Sequence, residues 1–105
     1  LLAYRTTPVS RGGGCTFCLA SFLTDLSGLV VTPRQVYPVD ISCTFRMDKS
    51  IFPFAYRTHA HGLGRVITGY QHNGSYHKIG KGNPQWPQAF YPVKDIIEVK
   101  PGDAL

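Results

Sequence analysis

Arg57, His59 and His61 occupy alternate positions in the run Phe54-Ala55-Tyr56-Arg57-Thr58-His59-Ala60-His61. Their types are those of a metal site beside an anion clamp. In a strand, successive side chains point to opposite faces. Taken as a strand, the run therefore projects Arg57, His59 and His61 from one face and Phe54, Tyr56 and Thr58 from the other. Two imidazoles at i and i+2 can reach one ion, and imidazole suits copper, zinc, iron or nickel. An arginine one step earlier on that face can hold an anion, best of all a carboxylate gripped by two parallel hydrogen bonds. The apolar back of the run is free to pack on a core. A His-X-His pair also describes strand histidines on a wet surface, and the pair alone leaves both readings open. The arginine in phase favours the site.

The other residues able to do chemistry are less well arranged. Cys15 and Cys18 form a single CxxC with no second pair at finger or ribbon spacing, and their surroundings do not suggest a redox βαβ unit. They read as two incidental thiols. Cys43 stands alone, so the count of three leaves an odd thiol, either free or paired outside the chain. His72 and His77 flank an Asn73-Gly74 turn with no third ligand nearby. Met47, near a turn, reads as gap filler rather than a soft ligand.

These residues must be positioned by a small domain. The chain has 105 residues, of which 43% are hydrophobic and 16% charged, a globular composition rather than a disordered one. Eleven glycines and eight prolines, set among valines, isoleucines and aromatics, favour short strands and turns over helices. A chain of this size buries about two-thirds of its unfolded surface, so a stabilising partner would help. The net charge of +5 admits an anionic partner. Its Lys and Arg residues are scattered, however, without the basic stripe interleaved with aromatics that nucleic-acid binding needs. No uninterrupted apolar run reaches the ~18 residues of a membrane span, since Asp25 interrupts the stretch 17–31, and no targeting segment is recognisable.

In chain order, residues 1–14 end in Arg11-Gly12-Gly13-Gly14 and predict a flexible lead-in. Residues 19–31 are apolar, a short helix or a strand, and Thr32-Pro33-Arg34 is a turn. Residues 36–45 alternate, with Val39, Ile41 and Cys43 on one face. This predicts a strand with Cys43 facing inward, as a buried thiol or half of a disulfide. Gly62-Leu63-Gly64 permits a tight turn. Residues 65–70 and 76–79 read as strands joined through Asn73-Gly74, a strong hairpin signal. Residues 80–93 carry Pro84, Pro87 and Pro92, too many for a central strand, with Trp86, Phe90 and Tyr91 between them. A last strand is predicted over 95–100, closed by Pro101-Gly102-Asp103. The sum is an antiparallel, all-β unit of about five or six strands.

The residues also carry a resemblance. Phe54-Ala55-Tyr56-Arg57-Thr58-His59-Ala60-His61-Gly62-Leu63-Gly64-Arg65-Val66 closely resembles the metal-site segment of the peptidylglycine α-hydroxylating monooxygenases, which are copper type II, ascorbate-dependent enzymes. Asn83-Pro84-Gln85 with Pro87-Gln88-Ala89-Phe90-Tyr91-Pro92-Val93 is similar to the loop that follows it there. Val39-Asp40-Ile41-Ser42-Cys43 is similar to the segment before it, and Pro101-Gly102-Asp103 to its next turn. Order and spacing agree over about residues 29–105.

The resemblance implies an antiparallel, jelly-roll-like β-sandwich, present here as a fragment. Residues 1–28 would be an unassigned lead-in and the end of a preceding domain. Residues 29–105 would be the N-terminal part of the C-terminal copper-binding domain. The implied reaction is hydroxylation of the α-carbon of a peptide's C-terminal glycine, with molecular oxygen as co-substrate and ascorbate as reductant. It uses two coppers per complete enzyme, and one of those sites is partly present here. By the same resemblance His59 and His61 are ligands of the copper where substrate is hydroxylated, and Arg57 binds the peptide's terminal carboxylate. Cys43 would be disulfide-bonded to a cysteine outside this chain, in the secretory pathway. A third ligand, a methionine, is implied beyond Leu105, since Met47 lies too early. The electron-transfer copper domain and any membrane anchor would also lie elsewhere, and the fragment alone would be inactive. The related dopamine β-monooxygenases share the His-X-His pair, but their substrate has no terminal carboxylate, so Arg57 favours the peptide enzyme. The remaining alternative is a non-catalytic β-module or a dead paralogue that binds peptide without turnover.

Overall fold

The computed structural model describes residues 1–6, 16–18, 36 and 38–105, with 16–18 described by backbone alone. Among these the chain is all-β, and every named strand pair is antiparallel. One sheet has the order β2-β1-β3-β6, formed by β1 (Leu2–Arg5), β2 (Thr16–Cys18), β3 (Phe52–Tyr56) and β6 (Tyr91–Pro92). The other is the hairpin of β4 (Ile67–His72) and β5 (Tyr76–Gly82). No helix among the described residues is long and apolar enough to cross a membrane.

β3, which delivers the candidate site, lies inside its sheet although it contains a proline. Pro53 has no N–H to give a ladder, and the strand accommodates it with an irregularity. Ala3 pairs with Ala55 but Tyr4 pairs with Pro53, so Phe54 is left as an extra residue. Such a bulge leaves one residue unpaired and bends its strand. The Phe54 carbonyl accepts the Val93 N–H instead, at 2.9 Å, and the Arg5 guanidinium lies 4.7 Å from the centre of the Phe54 ring. On its other side β3 meets β6 only at Ala55↔Pro92 and Tyr56↔Tyr91. That places Pro92 on a sheet edge, where a missing donor is tolerated.

The core is small. Tyr4, Phe45, Ile51 and Val99 are buried together, with Ile97 and Leu105 packed against them. The last residues lace this core to the hairpin. Ile51 and Val99 exchange both backbone hydrogen bonds at 2.9 Å, and Ala104 bridges Thr44 on one side and His72 on the other.

Several sequence expectations are corrected. Residues 1–14 read as a flexible lead-in, yet Leu2–Arg5 forms β1, an inner strand with Ala3 and Tyr4 buried. Apolar residues with a strand edge to cover on each side outweigh the glycines that follow them. The alternation over 36–45 does not make a strand. Among the described residues of that stretch only Thr44 bridges, and Val39, Ile41 and Cys43 are exposed, so Cys43 does not face inward. Alternation stabilises a strand only when another surface buries one of its faces, and among the described residues no surface covers these three. The strand predicted over 95–100 reduces to the single bridge at Val99. The hairpin, by contrast, is as predicted. Gly74 takes the left-handed conformation (φ 104°), and β5 runs on to Gly82. The glycine-rich residues before Cys15, Cys15 itself, the apolar stretch 19–31 and the turn at 32–34 lie outside the described residues.

Candidate functional site

Within β3 the buried side chains are Pro53 and Ala55 and the expected apolar back, Phe54 and Tyr56, is only half-buried, so the alternation that turns the histidines outward belongs to the residues after the strand. β3 ends at Tyr56, one residue before Arg57, and the Arg57 N–H makes a last sheet-like bond to the Leu1 carbonyl at 3.0 Å. Residues 57–61 leave the sheet. Even so, Thr58 and Ala60 are half-buried while His59 and His61 are exposed. The inward side chains are seated on glycines. The Tyr56 ring covers Gly80, and Thr58 lies against Gly82, where an added Cβ would be 3.3 Å from Thr58 Oγ1. Ala60 abuts Gly64, where a Cβ would come within 2.5 Å of Ala60 Cβ. The close approach of backbone to side chain needs glycine at 80 and 64, while at Gly82 the fit to Thr58 is only tight. Fixing the even-numbered side chains inward turns the imidazoles outward.

A turn and a loop then fix the segment. The Gly64 N–H closes the turn onto the His61 carbonyl at 2.9 Å. The loop between β5 and β6 grips that turn. Asn83 Oδ1 accepts the Gln85 N–H at 2.8 Å, an Asx turn of the kind asparagine favours. Gln85 Nε2 in turn donates to the carbonyls of His61 and Gly64, each at 3.3 Å. Pro84 is buried beside Gly64. Three residues beyond Gln85, Gln88 Oε1 accepts from both Arg57 Nε (2.9 Å) and Nη2 (2.8 Å). The sequence pattern of this loop assigns no part to Gln85 or Gln88. Asn83-Pro84 signals the Asx turn, whereas nothing in the spacing signals a reach of 31 residues from Arg57 to Gln88.

The two imidazoles meet edge to face, ring centroids 5.6 Å apart with an interplanar angle of 86°. A metal held at about 2.0–2.1 Å from a ring nitrogen lies roughly 3 Å from the ring centre, so two ligating rings can stand up to about 6 Å apart. The pair fits one ion on that count. Neither ring is hydrogen-bonded among the described residues, which leaves their nitrogens available. Two nitrogens are a partial donor set. Among the described residues no third His, Cys, Asp or Glu joins them.

The other candidates stay apart from this site. His72 packs against Tyr76 with centroids 4.5 Å apart and the rings inclined at 51°, and His77 Nε2 lies 3.0 Å from Ser75 Oγ, so both are engaged within the hairpin. Met47 is exposed, not filling a gap. Cys43 exchanges backbone hydrogen bonds with Leu105 at 2.8 and 2.9 Å and carries a free, exposed thiol. Two shallow grooves, of about 190 and 180 Å³, flank β3 and β5. Neither is lined by Arg57, His59 or His61; the two histidines are exposed and Arg57 is half-buried.

The family described as copper type II ascorbate-dependent monooxygenase, C-terminal domain, matches residues 16–105. The chain is 42% identical over 81 residues to peptidyl-glycine alpha-amidating monooxygenase B of Xenopus laevis, an alignment covering 76% of this chain and 9% of that protein. It is 47% identical over 78 residues to peptidylglycine alpha-amidating monooxygenase of Rattus norvegicus, covering 72% of this chain and 8% of the relative. The mouse protein of the same name is 46% identical over 78 residues, again covering 72% and 8%. The chain thus spans less than a tenth of the length of these curated relatives. Over residues 16–105 it belongs to the copper type II ascorbate-dependent monooxygenase family, in that family's C-terminal domain.

Proposed function

We propose that this chain contributes one part of a peptidylglycine α-hydroxylating monooxygenase, supplying two copper ligands, His59 and His61, and the substrate clamp, Arg57. The observation that carries the reading is the arrangement of these residues on one short segment. Two outward imidazoles with open nitrogens stand 5.6 Å apart, two and four residues beyond a guanidinium whose plane is already set by Gln88.

The substrate is a peptide ending in glycine, and the product carries a hydroxyl on that glycine's α-carbon. Copper held by His59 and His61 would supply the one-electron chemistry that activates molecular oxygen, with ascorbate as reductant. The chain's own residues do the rest of the work assigned to them here. Arg57 receives the terminal carboxylate through a charge-assisted fork, which places the adjacent α-carbon toward the histidine pair and converts binding energy into orientation. The seating of Thr58 and Ala60 on Gly82 and Gly64 fixes the distance from clamp to histidines. A catecholamine has no carboxylate for Arg57, which favours a peptide substrate over a dopamine-type one.

The third ligand, the second copper site and the remaining surface of the cleft belong, on this reading, to parts of the protein outside these residues. Residues 29–105 form the N-terminal part of the C-terminal copper domain, within a complete jelly-roll-like sandwich. Cys43 pairs there with a cysteine outside this chain, under the oxidising conditions of the secretory pathway.

The test is ascorbate-dependent hydroxylation of a glycine-extended peptide by the full-length protein carrying this segment. His59→Ala and His61→Ala are expected to abolish turnover, and Arg57→Ala to raise KM for the free-acid peptide. Undiminished turnover in either histidine variant refutes the site. A full-length protein that binds the peptide but shows no turnover would be a binding module instead.

A further inference from the structure

We propose that Gln88 is the positioning residue for Arg57, an uncharged acceptor that holds one edge of the guanidinium and leaves its far end open to the substrate carboxylate. The inference rests on the assignment of Arg57 to carboxylate binding.

A guanidinium carries five N–H donors in a fixed plane. Gln88 Oε1 takes one from Nε at 2.9 Å and one from Nη2 at 2.8 Å, so a single oxygen satisfies that edge. Both hydrogens of Nη1 and the second of Nη2 remain, and they form the end-on fork that matches a carboxylate bidentately. Among the described residues no Asp or Glu is paired with Arg57, so its charge is held by a neutral partner and not cancelled.

The Gln88 side chain is exposed, but its backbone is fixed. Gln88 is the middle residue of a three-residue turn closed by the Ala89 N–H on the Pro87 carbonyl at 2.8 Å, the form of a γ-turn. Tyr91 donates its hydroxyl to the same carbonyl at 3.2 Å. The Tyr91 ring in turn lies 6.2 Å from each of the Tyr56 and Trp86 rings, centre to centre. Proline at 87 fixes one backbone angle at the turn's entry. Arg57 is anchored at its own base by the end of β3. Two fixed bases joined by two short hydrogen bonds leave the guanidinium little freedom, which lowers the ordering cost when a carboxylate arrives.

Two substitutions at Gln88 should both lower selectivity for the carboxylate, by different routes and to different extents, a grading that a merely structural role would not produce. Gln88→Ala frees the guanidinium. Gln88→Glu keeps both hydrogen bonds and strengthens them, but cancels the charge that the substrate needs. The measurement is equilibrium binding of N-acetyl-Phe-Gly as free acid and as C-terminal amide to the full-length protein, without reductant so that no turnover occurs, with the acid-to-amide affinity ratio as readout. Arg57→Ala is expected to abolish the preference for the acid. Gln88→Ala should lower the ratio about tenfold, the loss of one hydrogen bond's worth of orientation, and Gln88→Glu should lower it further. If Arg57→Ala abolishes the preference while either Gln88 variant keeps the wild-type ratio, the positioning role is overturned and the Arg57 assignment stands. If Arg57→Ala keeps the preference, the Arg57 assignment falls and this proposal falls with it.

Discussion

The Tyr56 ring occupies the space that a side chain at Gly80 would need. A Cβ built on Gly80 would stand 2.4 Å from Tyr56 Cε1, 2.6 Å from Cδ1 and 2.7 Å from Cζ. The ring has little room to retreat, because its hydroxyl donates to the Lys81 carbonyl at 3.1 Å and the Tyr91 ring lies 6.2 Å away. Tyr56 is the last residue of β3, so this contact sets the direction in which the Arg57 segment leaves the sheet.

Gly80→Ala is therefore expected to cost about 1–3 kcal/mol, as overpacking of a well-filled site does. Urea denaturation followed by intrinsic fluorescence checks this. Gly69→Ala is the control, since nothing lies within 4 Å of its added Cβ. That variant should be neutral or stabilised by up to about 1 kcal/mol through the lost freedom of the unfolded chain. Equal costs at the two positions would remove the Tyr56 contact as the cause.

The turn after His61 offers a second test, this time of coupling between packing and site. Gly64→Ala drives a methyl into Ala60 Cβ and Pro84 Cγ, at 2.5 and 3.1 Å, and neither atom ends a flexible side chain. The adjustment must come from the His59–His61 segment or from the loop that holds it. The expected result is a loss of about 1–3 kcal/mol in stability together with weaker copper binding. Gln85→Ala removes only two long, exposed hydrogen bonds and should cost under about 1 kcal/mol. Copper titration of both variants beside the wild type is the measurement. Unchanged copper affinity in Gly64→Ala would show that the site does not depend on this turn.

How much of this was legible in the sequence depended on how local the cause was. Asn73-Gly74 predicts a hairpin because the turn chemistry is contained in two residues, and Gly74 adopts the positive φ that the turn requires. Pro101-Gly102-Asp103 is a turn for the same reason, with Gly102 at φ 94° and the Asp103 N–H on the Lys100 carbonyl at 3.0 Å. Alternation over Val39, Ile41 and Cys43 misleads because a strand's inward face exists only if another surface covers it, and all three are exposed. In the candidate site, the identities and spacing of Arg57, His59 and His61 are read directly from the chain. What holds them is not. Gly80, Gly82 and Gly64 look like turn or strand-weakening residues until the side chains of Tyr56, Thr58 and Ala60 are laid against them, and Gln88 is tied to Arg57 only by the fold.

The buried pair of Gln71 and Asp103 carries a stability prediction away from the site. Gln71 is 2% exposed. Its Nε2 donates to Asp103 Oδ2 and to the Glu98 carbonyl, both at 2.6 Å. The same Asp103 oxygen accepts the Lys100 N–H at 2.9 Å, so one carboxylate oxygen ties β4 to the final turn. Gln71→Leu keeps the volume but leaves that oxygen short of a partner in a buried place. The expected cost is about 1–3 kcal/mol, measured by urea denaturation. Leaving stability unchanged would mean that water or another donor replaces Gln71 without loss.

Copper binding by the 105-residue chain gives the last prediction, and it separates ligand from catalyst. Cu(I) accepts two imidazoles, so residues 1–105 should bind one copper, and His59→Ala or His61→Ala should each weaken binding at least about tenfold, the worth of one good ligand contact. The thiols are the competitor, because soft thiolates select Cu(I). Cys15→Ser with Cys18→Ser should leave the affinity unchanged. If those two substitutions abolish binding and the histidine variants do not, the metal belongs to the CxxC and the histidine site is wrong. The same chain, copper-loaded and supplied with ascorbate and a glycine-extended peptide, is expected to show no turnover, since the donor set it offers is two nitrogens with no third His, Cys, Asp or Glu among the described residues. Ascorbate-dependent hydroxylation by residues 1–105 would mean that two imidazoles and one arginine suffice for the chemistry, and that the rest of the protein serves substrate capture or rate alone.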